Sequence, residues 1–393
     1  MPRGFSLLIL ILLIAATPPS AARDDLRRWL RDLAAPAPAA AQPGAAAPAS
    51  TAEAKPAPRI DLPLNTWVAR KLPGKGKAPW SGKHQRLAHN PVNGRIYFLG
   101  GDYGGPQFFD SGRNEMYSYD IATDSWVQEQ PYCRTDGTPQ PSHPDEVGWV
   151  YDTRRNIFWM VPGWMGPNQK NCPESTLARF KIMTWDWKTR VWTVTDRQLP
   201  KHLVPGNSTF AQYDAKTDTI LKLYNDSFNG MSIYDIAADR WTKVRYPGTP
   251  MPRFEKQYTA LDTEKRQLYI VAGNVRRLYR YDLDKRSFED LGEAPGKTGH
   301  DGSHAVWDPL NRVVLWPHQF QTSDVTLHVY HPDEHRWEVN VAAKAPEGIT
   351  VRGTNAVFDP YQNAMLIMGQ TGNEGKGNPY LFLYRYGDGK RAR

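Results

Sequence analysis

Met116–Tyr117–Ser118–Tyr119–Asp120–Ile121–Ala122–Thr123–Asp124–Ser125–Trp126 is the stretch whose reading decides the fold. It carries an aromatic at Tyr119, a polar turn, and a second aromatic seven positions on, at Trp126. The pattern returns as Trp185/Trp192, Tyr234/Trp241, Tyr281/Phe288 and Tyr330/Trp337. Their first members are 66, 49, 47 and 49 residues apart, and Tyr384 follows after 54 more without a partner behind it. A sustained period of about 50 residues, made of short apolar runs and turns, predicts one four-stranded propeller blade per repeat.

Ahead of each pair lies an inner strand that ends in a turn at Asn90, Asp152, Asp214, Asp262, Asp308 or Asp359. Asn and Asp suit such turns because their side chains bond the backbone that follows them. The second strands read as apolar runs: Ile96–Leu99, Ile157–Val161, Ile220–Leu223, Leu268–Val271, Val313–Trp316 and Met365–Met368. At the start, Asn65–Thr66–Trp67–Val68–Ala69–Arg70 looks like the outer strands Ser125–Gln128 and Arg240–Lys243, with no inner strands before it. At the end, Val357 to Tyr386 supplies three strands and lacks a fourth. Joining the two removes exposed edges. The expectation is an all-β, six-bladed propeller closed by pairing of the N-terminal strand with the C-terminal blade.

Over residues 61–388 these features resemble the kelch superfamily, which includes the galactose oxidase central domain. In the first repeat, Gly100–Gly101 closes the second strand and Tyr119/Trp126 stands at the family spacing. Elsewhere the double glycine is replaced, as at Pro162–Gly163 and Gly369–Gln370. The galactose oxidase type implies a copper site with a cysteine crosslinked to tyrosine. That chemistry does not transfer, since both cysteines here suit a disulfide. A six-bladed relative, the sialic acid mutarotase, implies a sugar-acid mutarotase or epimerase activity. In this chain Glu146 or Glu255 would be the acid/base group and Arg352 the cation for the substrate carboxylate.

The chain has 393 residues, 40% hydrophobic, with 14 Trp and only 2 Cys. This suffices for a large core. A net charge of +8 favours acidic ligands, but the Lys and Arg are scattered, so no nucleic-acid partner is expected. Residues 1–22 read as a signal peptide: Arg3, an apolar run from Phe5 to Ala16, then Ser20–Ala21–Ala22. That run is short for a membrane span, so no stable span is expected once it is cleaved; retention as an uncleaved anchor is the alternative. The expected location is outside the cytoplasm, periplasmic or secreted. Residues 23–58 hold a short amphipathic segment (Leu26, Trp29, Leu30, Leu33) and an Ala/Pro-rich linker unable to build a core. The propeller follows over 59–388, and 389–393 form a basic tail.

Alternating strands put the short hairpin turns on one face. The long, dissimilar loops Asp102–Asn114, Pro131–Pro144, Pro162–Leu177, His318–Val325 and Gly369–Pro379 fall on the other. Variable loops on a rigid scaffold are where ligands bind. Cys133 and Cys172 both fall on that face; in an exported protein they are expected to pair, the alternative being two buried thiols. Aligning the inner strands on their turn residues places a polar ring at the channel mouth: Lys83, His84, Asp145, Glu146, Asn207, Ser208, Glu255, Lys256, His300, Asp301 and Arg352. Arg86, Tyr258, His304 and Asn355 lie two residues deeper. Carboxylates, imidazoles and cations so gathered suit a ligand site; they suit a hydrated channel lining equally well. No metal or cofactor is expected. Trp80, Trp149, Trp164, Phe108 and Phe109 offer stacking surfaces. The partner expected is a carbohydrate or protein ligand, with a monomeric chain.

Overall fold

A computed structural model describes residues 59–73, 86–100, 114–142, 144, 147–163, 172, 177–178, 180–197, 199–200, 210–224, 230–245, 257–272, 276–295, 305–319, 325–339, 341, 349–350, 356–371 and 379–388. These form six antiparallel four-stranded blades. Blade 1 is Arg86–Asn90, Arg95–Leu99, Met116–Asp120 and Ser125–Gln130. Blade 2 is Gly148–Asp152, Ile157–Val161, Met183–Asp186 and Val191–Val194. Blade 3 is Phe210–Asp214, Thr219–Tyr224, Gly230–Asp235 and Arg240–Arg245; blade 4 is Gln257–Asp262, Gln267–Ala272, Arg277–Asp282 and Ser287–Glu293. Blade 5 is Val306–Asp308, Val313–Gln319, Val325–His331 and Arg336–Glu338. Blade 6 takes Ala356–Asp359, Ala364–Thr371 and Pro379–Tyr384 from the end of the chain and Trp67–Lys71 from its beginning. Ile349–Thr350 adds a short pairing to Thr371 and Gln370.

Local chemistry shapes every hairpin. The Asn90 side chain accepts from Val92 N–H at 2.9 Å, and Asp152 accepts from Arg154 and Arg155 N–H at 2.9 and 3.0 Å. Asp214, Asp262, Asp308 and Asp359 repeat the bond in their own turns. Four positions later each inner hairpin turns left-handed, at Gly94, Asn156, Asp218, Arg266, Arg312 and Asn363. Asn and Asp tolerate that conformation, whereas each arginine there costs about 1 kcal/mol. A tyrosine just before the turn ties the left-handed residue down: Tyr213 donates to Asp218 at 2.9 Å in an inner hairpin, and in outer hairpins Tyr119 donates to Asp124 at 2.6 Å and Tyr234 to Asp239 at 2.7 Å.

The repeated aromatic pairs face one another across the two outermost strands. Tyr119 is in register with Trp126, Trp185 with Trp192, and Tyr234 with Trp241. Tyr281 meets Phe288 and Tyr330 meets Trp337 in the same way. Blade 6 forms its own pair across the chain ends, Trp67 opposite Tyr384 with ring centroids 4.8 Å apart. Asn65 N–H donates to Arg385 O at 2.8 Å, reproducing the bond from Arg190 N–H to Asp186 O at 2.8 Å in blade 2. The sixth outer hairpin thus keeps its turn geometry although no peptide bond joins its halves there.

Buried apolar clusters fill the junctions between neighbouring blades. Leu87, Ile96 and Phe98 of blade 1 pack on Val357, Leu366 and Met368 of blade 6. The blade 1–2 junction is aromatic, with Tyr97 and Phe158 at 4.6 Å. Each of these side chains would cost several kcal/mol to truncate.

The expected second strands are present, but two end three residues beyond their apolar runs. Val313–Gln319 extends past Trp316, so His318 lies in a strand opposite Thr326 rather than in a loop. Ala364–Thr371 likewise extends beyond Met368. In both, ladder pairing with the next strand carries the chain beyond the last apolar residue. The amphipathic segment around Leu26–Leu33 and the linker lie outside the described residues.

Arg385 secures the closure. Its guanidinium donates to Leu62 O at 2.8 Å, Ile60 O at 2.9 Å and Gln362 O at 3.0 Å, and the residue is buried. Arg385→Met strands these carbonyls, so it should cost about 3 kcal/mol, read from the urea midpoint at unchanged slope.

Candidate functional site

The six inner strands enclose an axial cavity of about 330 Å3, at the small end of ligand-binding volumes. Each inner strand is an edge strand, so its outward row of N–H and C=O groups has no strand partner. All six run from the long-loop side to the turn side. Arg86, Val147, Phe210 and Ala305 therefore line the long-loop end, while His89, Tyr151, Tyr213, Thr263, Trp307 and Phe358 line the turn end.

Arg86 was expected near the mouth and lines the cavity there. It is 2% exposed; its Nε donates to Val147 O at 2.9 Å, and its guanidinium lies 5.0 Å from the Phe210 ring centroid. A second fully buried cation, Lys222 of blade 3, donates to Val161 O at 3.2 Å. Gly148 makes room for it: a Cβ there would stand 3.1 Å from Lys222 Nζ and 2.7 Å from Ala211 Cβ. The two cations thus flank the first residues of the blade 2 inner strand, directly after Asp145 and Glu146 in sequence.

Tyr258 and Trp149 occupy different surroundings from those expected. Tyr258 is buried between blades, against Phe210 at 6.1 Å and Trp316 at 6.4 Å. It stands four residues before its turn residue, at the same depth as Arg86 and Phe210, which do line the cavity. Trp149 lines the cavity but is 4% exposed, stacked on Phe158 at 4.7 Å. Lys83, His84, Asp145, Glu146, Asn207, Ser208, Glu255, Lys256, His300, Asp301, His304, Arg352 and Asn355 lie outside the described residues. So do Trp80, Trp164, Phe108 and Phe109.

Cys133 and Cys172 form a disulfide with Cα atoms 5.5 Å apart. The bridge ties the loop leading into blade 2 to the loop between that blade's second and third strands. Beside it the same two loops pair in parallel, Gln140 with Leu177 and Pro141 with Ala178, and Ser142 N–H donates to Ala178 O at 3.2 Å. Two residues are too short a run for sequence periodicity to reveal. Among the described residues no group of three or more His, Cys, Asp or Glu is placed to hold a metal ion, and no helix is long and apolar enough to cross a membrane.

The turn end holds a pair that the ring alignment missed. His89 lines the cavity one residue before its turn, where blades 2 and 3 carry Tyr151 and Tyr213. Its side chain is 8% exposed, and Nε2 lies 3.6 Å from Asp359 Oδ1 of blade 6, with no hydrogen-bond partner. Burial pulls the imidazole down to about 4 and pushes the Asp359 carboxyl up to about 6. The signal was present in the sequence: a histidine at a position that is bulky in all six blades, aromatic in four of the others and Leu261 in the fifth.

No protein-family model matches the chain, and comparison with curated proteins returns no match.

The pair makes opposite contributions to stability with pH. His89, depressed when folded, stabilises above its ordinary 6.5 and loses that contribution as pH falls toward about 4. Asp359, raised when folded, stabilises fully below its ordinary 3.8, and that contribution disappears as pH rises through about 6. His89→Phe removes only the first. The stability lost between pH 6.5 and 4 should therefore be about 3 kcal/mol smaller in the variant than in the parent, from urea unfolding at each pH.

Proposed function

We propose that this chain is an exported, kelch-type binding propeller that holds a carbohydrate or protein ligand on its long-loop face. The observation that carries the reading is the blade 2 clip: a disulfide and a parallel pairing fix two long loops at that face, at the end of the cavity lined by Arg86. Loops that served only as connections would need no such bracing, since loop length itself is entropically cheap. The disulfide supports residence in an oxidising compartment. The 50-residue period, the four-stranded blades and the aromatic pairs support the kelch assignment. Among the ring residues, Arg352 is the proposed bidentate partner for a carboxylate on the ligand, with Glu146 or Glu255 as the proposed acid/base group that accepts from a ligand hydroxyl.

Thermal unfolding of the protein against neutral and acidic sugars tests this. A ligand present at about 100 times its dissociation constant should add ~2.7 kcal/mol, and Arg352→Ala and Glu255→Gln should reduce that gain. If a sugar stabilises the parent and both variants equally, the ring is only channel lining. If neither sugars nor a captured protein partner bind at all, the reading falls.

A further inference from the structure

The turn end of the axial cavity is closed in by a collar of side chains drawn from five blades: His89, Tyr151, Tyr213, Trp307 and Phe358. Each precedes its hairpin turn by one residue, so the collar follows from the repeat itself. Their rings contribute apolar lining to that end. The Tyr213 hydroxyl is already committed to Asp218 and that of Tyr151 to Asn156. His89 differs, since it lines the cavity while Nε2 lacks a hydrogen-bond partner and the side chain is more than nine-tenths buried. Unsatisfied buried polar atoms are uncommon, and each calls for an explanation such as a ligand or water.

The chemistry of a fitting guest follows from these groups. Asp359 Oδ1 lies 3.6 Å from Nε2, just beyond hydrogen-bond reach. A small ring movement that opens Nε2 to the cavity lets a guest hydroxyl accept from Nε2–H and donate to that carboxylate, which satisfies the unpartnered nitrogen. A donor and an acceptor side by side suit a hydroxyl group, which is both. The Asp359 carboxylate behind the imidazole disfavours an anion at this end, and Arg86 at the other end disfavours a cation. We propose that the axial cavity binds a neutral, hydroxyl-bearing small molecule of monosaccharide size, seated on the aromatic collar and hydrogen-bonded to His89. The site lies at the opposite end of the channel from the long-loop face. It shares with the proposed function only the premise that the propeller is a binding protein.

The probes are three neutral hexoses, glucose, galactose and mannose, titrated by calorimetry into the parent protein, His89→Phe and Trp307→Ala. At least one hexose should bind the parent saturably, with tenfold or greater loss of affinity in each variant. Far-ultraviolet circular dichroism confirms that each variant is folded, and His89→Gln, which keeps a side-chain N–H, should recover part of the loss. Two results would overturn the proposal: no hexose binding the parent at 100 mM, or binding that His89→Phe and Trp307→Ala leave unchanged. A hexose bound normally by these variants but lost in Arg352→Ala would place the ligand on the long-loop face, sparing the proposed function while removing the axial site.

Discussion

Ring closure is the constraint on which the rest of the structure depends. Five blades are each continuous in sequence through their four strands, apart from their long loops, but blade 6 is assembled from the two ends of the described chain. The joint is not a loose overlap. Trp67 through Lys71 pair residue by residue with Tyr384 through Tyr380, and Arg385 clamps the backbone at Ile60 and Leu62. Asn65 even adopts the left-handed conformation found at the same place in the other outer hairpins. Because each blade packs its sheet faces on two neighbours, opening this joint would expose apolar surface on both sides of blade 6, and the axial cavity exists only while the circle is shut.

Pairs of charged side chains supplement the apolar junctions on the turn face. Arg155 of blade 2 meets Asp218 of blade 3 at 2.5 Å, and Arg266 of blade 4 meets Asp214 of blade 3 at 2.5 Å. By repeat symmetry Arg312 of blade 5 should meet Asp262 of blade 4. It reaches Glu264 at 2.7 Å instead, leaving Asp262 Oδ2 buried without a hydrogen bond. Between blades 6 and 1 the position is filled by the unbonded His89–Asp359 contact. The polar contacts around the circle are thus unequal, while a buried apolar cluster fills every junction, which assigns most of the cohesion to burial.

The fold was legible because its determinants repeat. Six Asn or Asp turn residues, five aromatic pairs at one spacing and a lone Trp67 matched to a lone Tyr384 are each weak signals alone, and their agreement fixes the blade count. Less of the candidate site could be read. Arg86 lines the cavity at the depth that counting back from Asn90 gives. Tyr258, at the same depth in blade 4, packs between Phe210 and Trp316, a packing that the count does not reveal. His89 was passed over for a related reason: its significance comes from Asp359, 270 positions away in sequence and brought close only by closure. The two-residue pairing of Gln140–Pro141 with Leu177–Ala178 likewise depends on a crosslink, not on local propensity.

The cavity, the collar and the clipped loop face are all consequences of a closed circle of six, so the seam between the chain ends is where the account is most exposed. Native-state hydrogen exchange of the amides in Trp67–Lys71, compared with those of Ala364–Thr371, measures it directly. Closure predicts that the hydrogen-bonded amides of both strands open with the free energy of global unfolding. Exchange of the Trp67–Lys71 amides at unfolded-chain rates, while Ala364–Thr371 stays protected, would contradict it.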